Sequence, residues 1–258
     1  GQENREIQPS HWNQGAVLVY LGYEDGYLNE PDQTIHGLLP DAQGQWLPLT
    51  NLFLGLSLAT GDFDGDGLCD VAVGSLNWSR QRRGTVFMYR GVRPNDLSPG
   101  GLSEMPVNWY VPAANDVSNY RLGLKLVAAD FDGDGLSDLA MSARGADTEL
   151  GRDVGRIYIF NGGPWPETLP TVGVNPETAD RVLEGSRPWD NLGTGMVLWN
   201  SDEDGASLGV TVAYADGENG WDEGQVFVYD LRPGVEERAA ADPEATWPIL
   251  LARGEASR

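Results

Sequence analysis

The feature that most constrains this chain is an internal repeat with a period of about 70 residues. A glycine followed by an alternating apolar run and an aromatic residue occurs four times in the 258 residues. The segments are GAVLVY from Gly15, GTVFMY from Gly84, GRIYIF from Gly155 and GQVFVY from Gly224, so their glycines lie 69, 71 and 69 residues apart. Such a fixed period is typical of proteins built from tandem structural units.

A second landmark recurs in step with the first. Three segments contain a Leu-Gly pair and reach an acidic turn seven residues after its glycine. The glycines are Gly55, Gly123 and Gly193, and the turns start at Asp62, Asp130 and Asn200. Because both landmarks keep their spacing, each repeat is expected to be one structural unit.

Each unit is predicted to contain four short strands. The first leads from Leu-Gly to the acidic turn, the second is the apolar run after it, the third is the glycine-aromatic segment, and the fourth precedes the next Leu-Gly. We therefore predict an all-β fold, a β-propeller of four-stranded antiparallel blades with about three full blades and a half blade in this chain. A β-sandwich gives no reason for strict repetition, and a β-helix repeats at a shorter period.

The predicted partial propeller occupies the single domain 1–258. Its parts are an outer half blade with strands three and four at residues 1–52, blades with acidic loops at 53–113 and 121–185, and a blade with a degenerate loop at 191–252. An open stack of blades leaves strand edges and apolar faces uncovered. The rest of the ring is expected to come either from the same longer chain or from a second copy.

Two of the acidic turns form nine-residue loops, at 62–70 and 130–138, and each contains four aspartates. Four carboxylates in one turn repel each other unless a cation neutralises them. Oxygen ligands on a flexible loop suit Ca²⁺, which takes six to eight oxygens at roughly 2.3–2.6 Å. Mg²⁺ ranks second because it requires a tighter octahedron, and zinc is disfavoured because no His or Cys pair has ligand spacing.

The spacing within each loop predicts the individual ligands. Side chains at positions one, three and five point inward, and a glycine at position six turns the position-seven carbonyl towards the ion. An aspartate at position nine closes the shell as the second strand begins. The predicted ligands are Asp62, Asp64, Asp66, Leu68 and Asp70 in the first loop and Asp130, Asp132, Asp134, Leu136 and Asp138 in the second.

The third turn is a degenerate version of the same loop. Its ligands would be Asn200, Asp202, Asp204 and Ala206, but position nine is Leu208, which has no oxygen to offer. A weak metal site and an empty turn both remain open for this segment.

Charge and composition exclude several classes of partner. There are 39 acidic and 17 basic residues, a formal net charge of −22. This balance argues against nucleic acid and against an anionic membrane surface, since both need a basic protein surface. No apolar run approaches the roughly 18 residues that a membrane span needs, so no membrane insertion is expected. The lone Cys69 excludes an internal disulfide.

The loops and landmarks resemble the FG-GAP repeats of integrin α propellers. Leu-Gly stands where that family has Phe-Gly, and the segments at 73–75 and 141–143 replace its Gly-Ala-Pro. The resemblance implies Ca²⁺ in the loops between strands one and two, with the ligands given above. It also implies an extracellular or cell-surface location and a protein ligand, but it does not identify that ligand.

The leading hypothesis is a non-enzymatic adhesion or protein-interaction module with structural Ca²⁺. Binding is expected on the long strand-joining segments 91–107, 143–155 and 162–181. The alternative is a carbohydrate-binding domain or the accessory domain of a secreted hydrolase. A glycan could stack on Trp78, Trp165, Trp189 or Trp221, although tryptophans also fill gaps between blades. The two histidines, His11 and His36, belong to no nucleophile motif.

Overall fold

The structure is a computed structural model of the chain. It describes most of the repeated segments but neither end of the sequence. The described residues are 14–20, 30–36, 38–40, 46–48, 52–76, 83–92, 101–102, 110–112, 120–165, 174–202, 205–215, 223–232 and 249–250. They are mainly β-strand, with one short 3-10 helix, Pro176–Thr178. Asn175 caps this helix, and its Oδ1 accepts the Glu177 N–H at 3.1 Å. No helix in these ranges is long and apolar enough to cross a membrane.

The strands are numbered in chain order. They are β1 (Ala16–Val19), β2 (Gln33–His36), β3 (Leu38–Pro40), β4 (Trp46–Pro48), β5 (Ser57–Gly61), β6 (Asp70–Ser75), β7 (Thr85–Tyr89), β8 (Gly91–Val92), β9 (Gly101–Leu102), β10 (Tyr110–Pro112), β11 (Leu122–Ala129), β12 (Asp138–Ala143), β13 (Arg156–Phe160), β14 (Arg181–Glu184), β15 (Leu192–Asp202), β16 (Gly205–Val212), β17 (Gln225–Asp230) and β18 (Ile249–Leu250).

Three antiparallel sheets of four strands repeat along the chain. Their orders are β5-β6-β7-β10, β11-β12-β13-β14 and β15-β16-β17-β18, so each sheet pairs its strands in sequence order. Two-stranded antiparallel pairs are formed by β1 with β2, β3 with β4, and β8 with β9. The first strands of neighbouring sheets lie side by side, β5 against β11 and β11 against β15.

The hydrophobic core lies between consecutive sheets. Strand β7 is buried along its whole length, and its side chains alternate between two interfaces, as side chains of a strand must. Phe87 packs towards the β1–β2 pair together with Val17 and Ile35. Its neighbour Met88 packs in the opposite direction, in a cluster that includes Tyr158 of the next sheet. A third cluster joins the second four-stranded sheet to the third.

The two sequence landmarks meet in space and tie successive units together. The N–H of the leucine in each Leu-Gly pair donates to the carbonyl that precedes a third-strand glycine. The pairs are Leu54 to Gln14 at 2.9 Å, Leu122 to Arg83 at 2.9 Å and Leu192 to Val154 at 3.1 Å. The adjoining glycine is needed there: Gly84 has φ +83°, and a Cβ on it would lie 2.1 Å from the Leu122 oxygen.

The predicted fold class is therefore confirmed: the protein is an all-β propeller built from four-stranded antiparallel units. The boundaries assigned to the individual blades, the total number of blades and the origin of the remaining ring stay predictions.

Candidate metal centres at two acidic loops

Two acidic loops occupy equivalent places in neighbouring sheets. Residues 62–69 connect β5 to β6, and residues 130–137 connect β11 to β12. The ninth residue of each loop, Asp70 or Asp138, is the first residue of the second strand. Both loops therefore lie at the same end of their sheets.

The first aspartate of each loop holds the turn through its carboxylate. In the first loop, Asp62 Oδ1 accepts the Gly65 N–H at 2.8 Å and Oδ2 accepts the Gly67 N–H at 3.0 Å. Asp130 makes the same two bonds to the corresponding glycines of the second loop, at 2.6 and 2.9 Å. These donors reach inward because the loop glycines have a positive φ, which a side chain would disfavour; they are Gly65, Gly67, Gly133 and Gly135.

The ninth aspartates are fully buried and bind backbone on both sides. Asp70 accepts the Phe63 N–H at 3.0 Å and the Gly91 N–H at 2.8 Å. Asp138 repeats this, accepting the Phe131 N–H at 2.7 Å and, at 2.8 Å, the N–H of Gly162, the second residue after β13. Burial raises the pKa of each carboxyl from 3.8 to about 6, because the hydrogen bonds only partly offset the loss of solvent.

The aspartates at positions one, three and nine converge in each loop. One oxygen from each of Asp62, Asp64 and Asp70 lies within 4.8 Å of the others, and Asp130, Asp132 and Asp138 form the same group in the second loop. Like charges at this separation favour a bound cation. The group fits a hard cation, because every converging atom is a carboxylate oxygen. Two clusters that could hold a metal ion are thus present.

The predicted ligands at positions five and seven have a different arrangement. The side chains of Asp66 and Asp134 are exposed and are not among the converging groups. Each accepts the N–H of its position-seven leucine at 2.8 Å, Leu68 and Leu136 respectively. Coordination by positions five and seven stays a prediction.

The third acidic segment folds as a plain hairpin. Asn200 pairs with Ser207 and Asp202 with Gly205, so β15 and β16 continue almost to the tip. The Ala206 carbonyl, a predicted ligand, accepts the Leu231 N–H at 3.3 Å. Asn200 is exposed, the side chain of Asp202 and the whole of Asp204 lie outside the described residues, and the weak third site stays a prediction.

The second residue of each acidic loop packs against the next sheet. Phe63 and Phe131 are 3% and 1% exposed and belong to the clusters between sheets. The Phe63 carbonyl accepts the Gly163 N–H at 2.9 Å, and the carbonyl of Asp62 accepts the Ser137 N–H of the second loop at 3.0 Å. Both phenylalanines therefore fill the space between neighbouring sheets.

Sequence reasoning missed two residues beside the loops. Arg90, which follows β7, forms an ion pair with Asp64 at 2.5 Å. Asn161, which follows β13, donates from Nδ2 to Asp132 Oδ2 at 2.6 Å. The available signal was their shared position directly after the aromatic residue that ends the repeated third strand.

The tryptophans considered for glycan stacking and the two histidines lie in several different environments. Trp165 is half-buried against the cluster between the first two sheets, and its ring lies 5.5 Å from the Arg90 guanidinium carbon. Trp189 is 56% exposed and has φ +70°. His36 is exposed on β2. The remaining candidates, Trp78, Trp221 and His11, lie outside the described residues.

Comparison with protein families identifies two repeats in the chain. Residues 54–87 and 122–160 match the FG-GAP repeat. Both matches begin at the leucine of a Leu-Gly pair, extend through an acidic loop and end in or at the close of the third strand.

Comparison with curated proteins gives relatives of two kinds. Integrin alpha-PS2 of Drosophila melanogaster is 29% identical over 70% of this chain, and Integrin alpha-5 of Xenopus laevis is 29% identical over 67%. Phosphatidylinositol-glycan-specific phospholipase D of Rattus norvegicus is 32% identical over 52%. The matched segments cover only 12%, 15% and 15% of those relatives' own lengths.

Proposed function

Because this chain contains FG-GAP repeats and has integrin α chains among its relatives, we propose that it is a calcium-stabilised protein-interaction module. The propeller would belong to a cell-surface or secreted protein and would not itself be an enzyme. Its Ca²⁺ ions would be structural, and its partner would be a protein bound by the loops at the other end of the sheets.

The observation that carries the metal part of the proposal is the equivalence of the two loops. Each gathers three aspartates at positions one, three and nine within 4.8 Å. Each also directs its turn amides at the first aspartate and two backbone N–H groups at the ninth. Two acidic turns that merely face solvent have no reason to share this buried architecture.

The donor set favours Ca²⁺ over other cations. All the converging groups are carboxylates, which are hard oxygen ligands, and the loops have glycines with positive φ that allow a wide, irregular shell. Mg²⁺ requires near-ideal octahedral geometry. Zn²⁺ prefers nitrogen and sulfur ligands, and the only sulfur in either loop, Cys69, has an exposed side chain.

A bound ion would stiffen the junction between sheets. It would link the ninth aspartate, which starts the second strand, to the first aspartate, whose carbonyl in the first loop bonds the neighbouring loop at Ser137. Repulsion within each cluster would change into attraction to a shared charge. We therefore assign the ion a role in holding neighbouring blades in one orientation.

The proposed partner surface lies at the opposite end of the sheets from the acidic loops. Leu150, Trp189 and Tyr214 are 51%, 56% and 49% exposed there. The Trp189 N–H bonds the Arg152 carbonyl at 2.9 Å, which joins two of these loops. Exposed aromatic and apolar side chains on fixed loops are the usual anchors of a protein interface. Leu150 belongs to the predicted binding segment 143–155.

Calorimetric titration tests the metal part of the proposal. The metal-free chain is titrated with Ca²⁺ and separately with Mg²⁺, beside the variant Asp62→Asn/Asp130→Asn as the matched control. We expect two Ca²⁺ to bind the wild type, Mg²⁺ to bind more weakly, and the variant to bind neither. Wild-type protein that is folded and takes up no Ca²⁺ would refute the proposal.

The partner surface is tested with Trp189→Ala, which removes the largest exposed ring of that surface. Extracellular proteins are first screened for binding to the immobilised wild-type chain with Ca²⁺ present. For a partner so found, we expect a loss of at least about tenfold in affinity, because a central aromatic anchor is worth about 1–4 kcal/mol. Exposed Trp199, on β15, provides the control Trp199→Ala. Equal losses in the two variants would contradict the assignment.

A second candidate is the accessory domain of a secreted hydrolase, favoured by the resemblance to the phospholipase D. In that case the exposed Trp189 ring would stack on a glycan or on the sugar of a glycolipid headgroup. Screening on a glycan array separates this from protein binding. Glycan binding that Trp189→Ala abolishes would support the second candidate.

A further inference from the structure

We propose that Arg90 acts as an internal competitor for the cation and makes the first acidic loop, 62–70, the weaker of the two metal sites. This inference rests on the proposed calcium function and adds a difference between sites that the repeated sequence conceals. Arg90 is a positioning and affinity-setting residue, and the matching residue of the second loop, 130–138, is Asn161.

The two loops share their main hydrogen bonds, and the second loop adds bonds from the Asp132 N–H to Asp138 and from the Asp134 N–H to Asp130. In each loop, turn amides donate to the aspartate at position one, and the aspartate at position three accepts the N–H of the residue at position five. Backbone N–H groups from the loop and from beyond the third strand donate to the aspartate at position nine. The charged contact differs at one oxygen, the Oδ2 of the aspartate at position three, Asp64 or Asp132. In the first loop it faces the guanidinium of Arg90, and in the second it faces the amide of Asn161.

The contact in the first loop places a full positive charge on a predicted ligand. The Asp64 side chain is only 2% exposed, and its Oδ2 lies 2.5 Å from Arg90 Nη2. That contact is an ion pair without the geometry of a directed hydrogen bond. A divalent ion that coordinates Asp64 must either displace the guanidinium or tolerate a like charge beside it.

The contact in the second loop has no such conflict. The neutral amide of Asn161 donates to Asp132 Oδ2 at 2.6 Å and leaves the net charge of the cluster unchanged. This bond orients the carboxylate, and its other oxygen, Oδ1, accepts the neutral N–H of Asp134 at 3.2 Å. Among the described residues, no arginine forms an ion pair with Asp132, although the charge of Arg181 acts on this carboxyl and partly offsets the rise in its pKa. The second loop therefore has no cation in direct contact with the aspartate at its third position.

Arg90 has a second partner that would hold it when a cation arrives. Its guanidinium carbon lies 5.5 Å from the centroid of Trp165, a residue of the loop after β13 in the next sheet. Among the described residues, the buried Nε of Arg90 has no hydrogen-bond partner, and the side chain is 35% exposed. A small movement can thus release Asp64 while the cation–π contact persists.

The test measures Ca²⁺ affinity at each loop separately by calorimetry. Asp130→Asn disables the second loop and reports the first, and Asp62→Asn disables the first loop and reports the second. Arg90→Asn is then added to the first background and Asn161→Arg to the second. We expect Arg90→Asn to tighten the first site about tenfold, which corresponds to about 1.4 kcal/mol. We expect Asn161→Arg to weaken the second site by a similar factor.

Two further variants separate the local charge from other effects. Arg90→Lys keeps the charge and should leave the first site weak, whereas a purely structural role would make it behave like Arg90→Asn. Arg152→Asn removes one exposed positive charge at the opposite end of the sheet and should leave both affinities unchanged. Circular dichroism confirms that each variant is folded.

The outcomes distinguish this inference from the proposed function. If the wild type binds two Ca²⁺ but Arg90→Asn leaves the first site unchanged or weaker, the competitor role is wrong and calcium binding stands. If the folded wild type binds no Ca²⁺, the proposed function itself fails. A first site already as tight as the second in the wild type would also overturn the inference.

Discussion

At the scale of single residues, the ninth aspartates carry the most unusual chemistry. Asp70 and Asp138 are fully buried acids at the start of a strand. Burial raises the pKa of both carboxyls to about 6. The same carboxyls have an ordinary pKa of 3.8 in the unfolded chain. At a pH between 3.8 and about 6, the metal-free native protein therefore binds protons at these two groups that the unfolded chain does not bind.

This shift predicts that the metal-free protein becomes more stable as the pH falls from 7 to 5. A group with a raised native pKa lowers the free energy of unfolding as the pH rises through that range, because the native state must give up the proton. Thermal melts in chelator at pH 7 and pH 5 measure the effect. The rise in melting temperature on adding Ca²⁺ should shrink at pH 5, since protons and Ca²⁺ compete for the same oxygens.

The matched control is the double variant Asp70→Asn/Asp138→Asn. Easing of the general repulsion among acidic groups at lower pH also stabilises the wild type, so the relevant quantity is the pH dependence that the variant loses. A wild type that melts at a lower temperature at pH 5 than at pH 7 would contradict the prediction.

At the scale of the structural element, the contact between the third-strand glycine and the Leu-Gly pair joins consecutive units. Gly84 adopts φ +83° directly against Leu122, whose N–H bonds the preceding carbonyl of Arg83. Equivalent contacts join Gly15 to Leu54 and Gly155 to Leu192. The repeated glycines are explained by this close approach of two backbones.

Gly84→Ala should therefore be strongly destabilising. Its Cβ would lie 2.1 Å from the Leu122 oxygen in a conformation that alanine disfavours. We expect the free energy of unfolding to fall by about 2–4 kcal/mol. Urea denaturation measures the change, with Gly163→Ala as control because a Cβ there meets nothing within 4 Å. Similar losses for the two variants would show that the backbone contact is unimportant.

At the scale of the whole molecule, a chain of −22 net charge concentrates eight aspartates in two loops that contact successive sheets. Because each loop bonds to the sheet that follows it, loss of the ions should weaken the stacking of blades as well as the loops themselves. Metal binding and the integrity of the propeller are thus expected to be coupled.

Chelation should lower the melting temperature by an amount that grows with the number of intact loops. A site at 100 times its Kd stabilises by about 2.7 kcal/mol, which corresponds to about 5–10 °C for a domain of this size. We expect EDTA to produce roughly that loss per site, less than half the wild-type loss in Asp130→Asn, which keeps only the weaker first site, and none in Asp62→Asn/Asp130→Asn. Scanning calorimetry measures these shifts. A wild-type melting temperature that EDTA leaves unaltered would exclude a structural role for the ion.

The sequence alone determined the repeat, the four-stranded units and the two acidic loops. These features depend on local patterns: alternation of apolar residues defines a strand, and glycines between aspartates define a turn. The third segment shows the limit of that reasoning. Leu208 replaces the aspartate that elsewhere accepts the N–H of position two, and its side chain is fully buried, so the strands continue to pair where a loop was predicted.

Only the tertiary structure decided what each local feature touches. Arg90 lies 26 residues after Asp64 in the chain, and Trp165 lies in the loop after β13 of the next sheet, yet the three side chains form one contact group. The stacking of sheets likewise places Trp165 in a half-buried position beside the Arg90 guanidinium and leaves Trp189 exposed. Such contacts depend on the packing of distant segments, which leaves no periodic trace in the sequence.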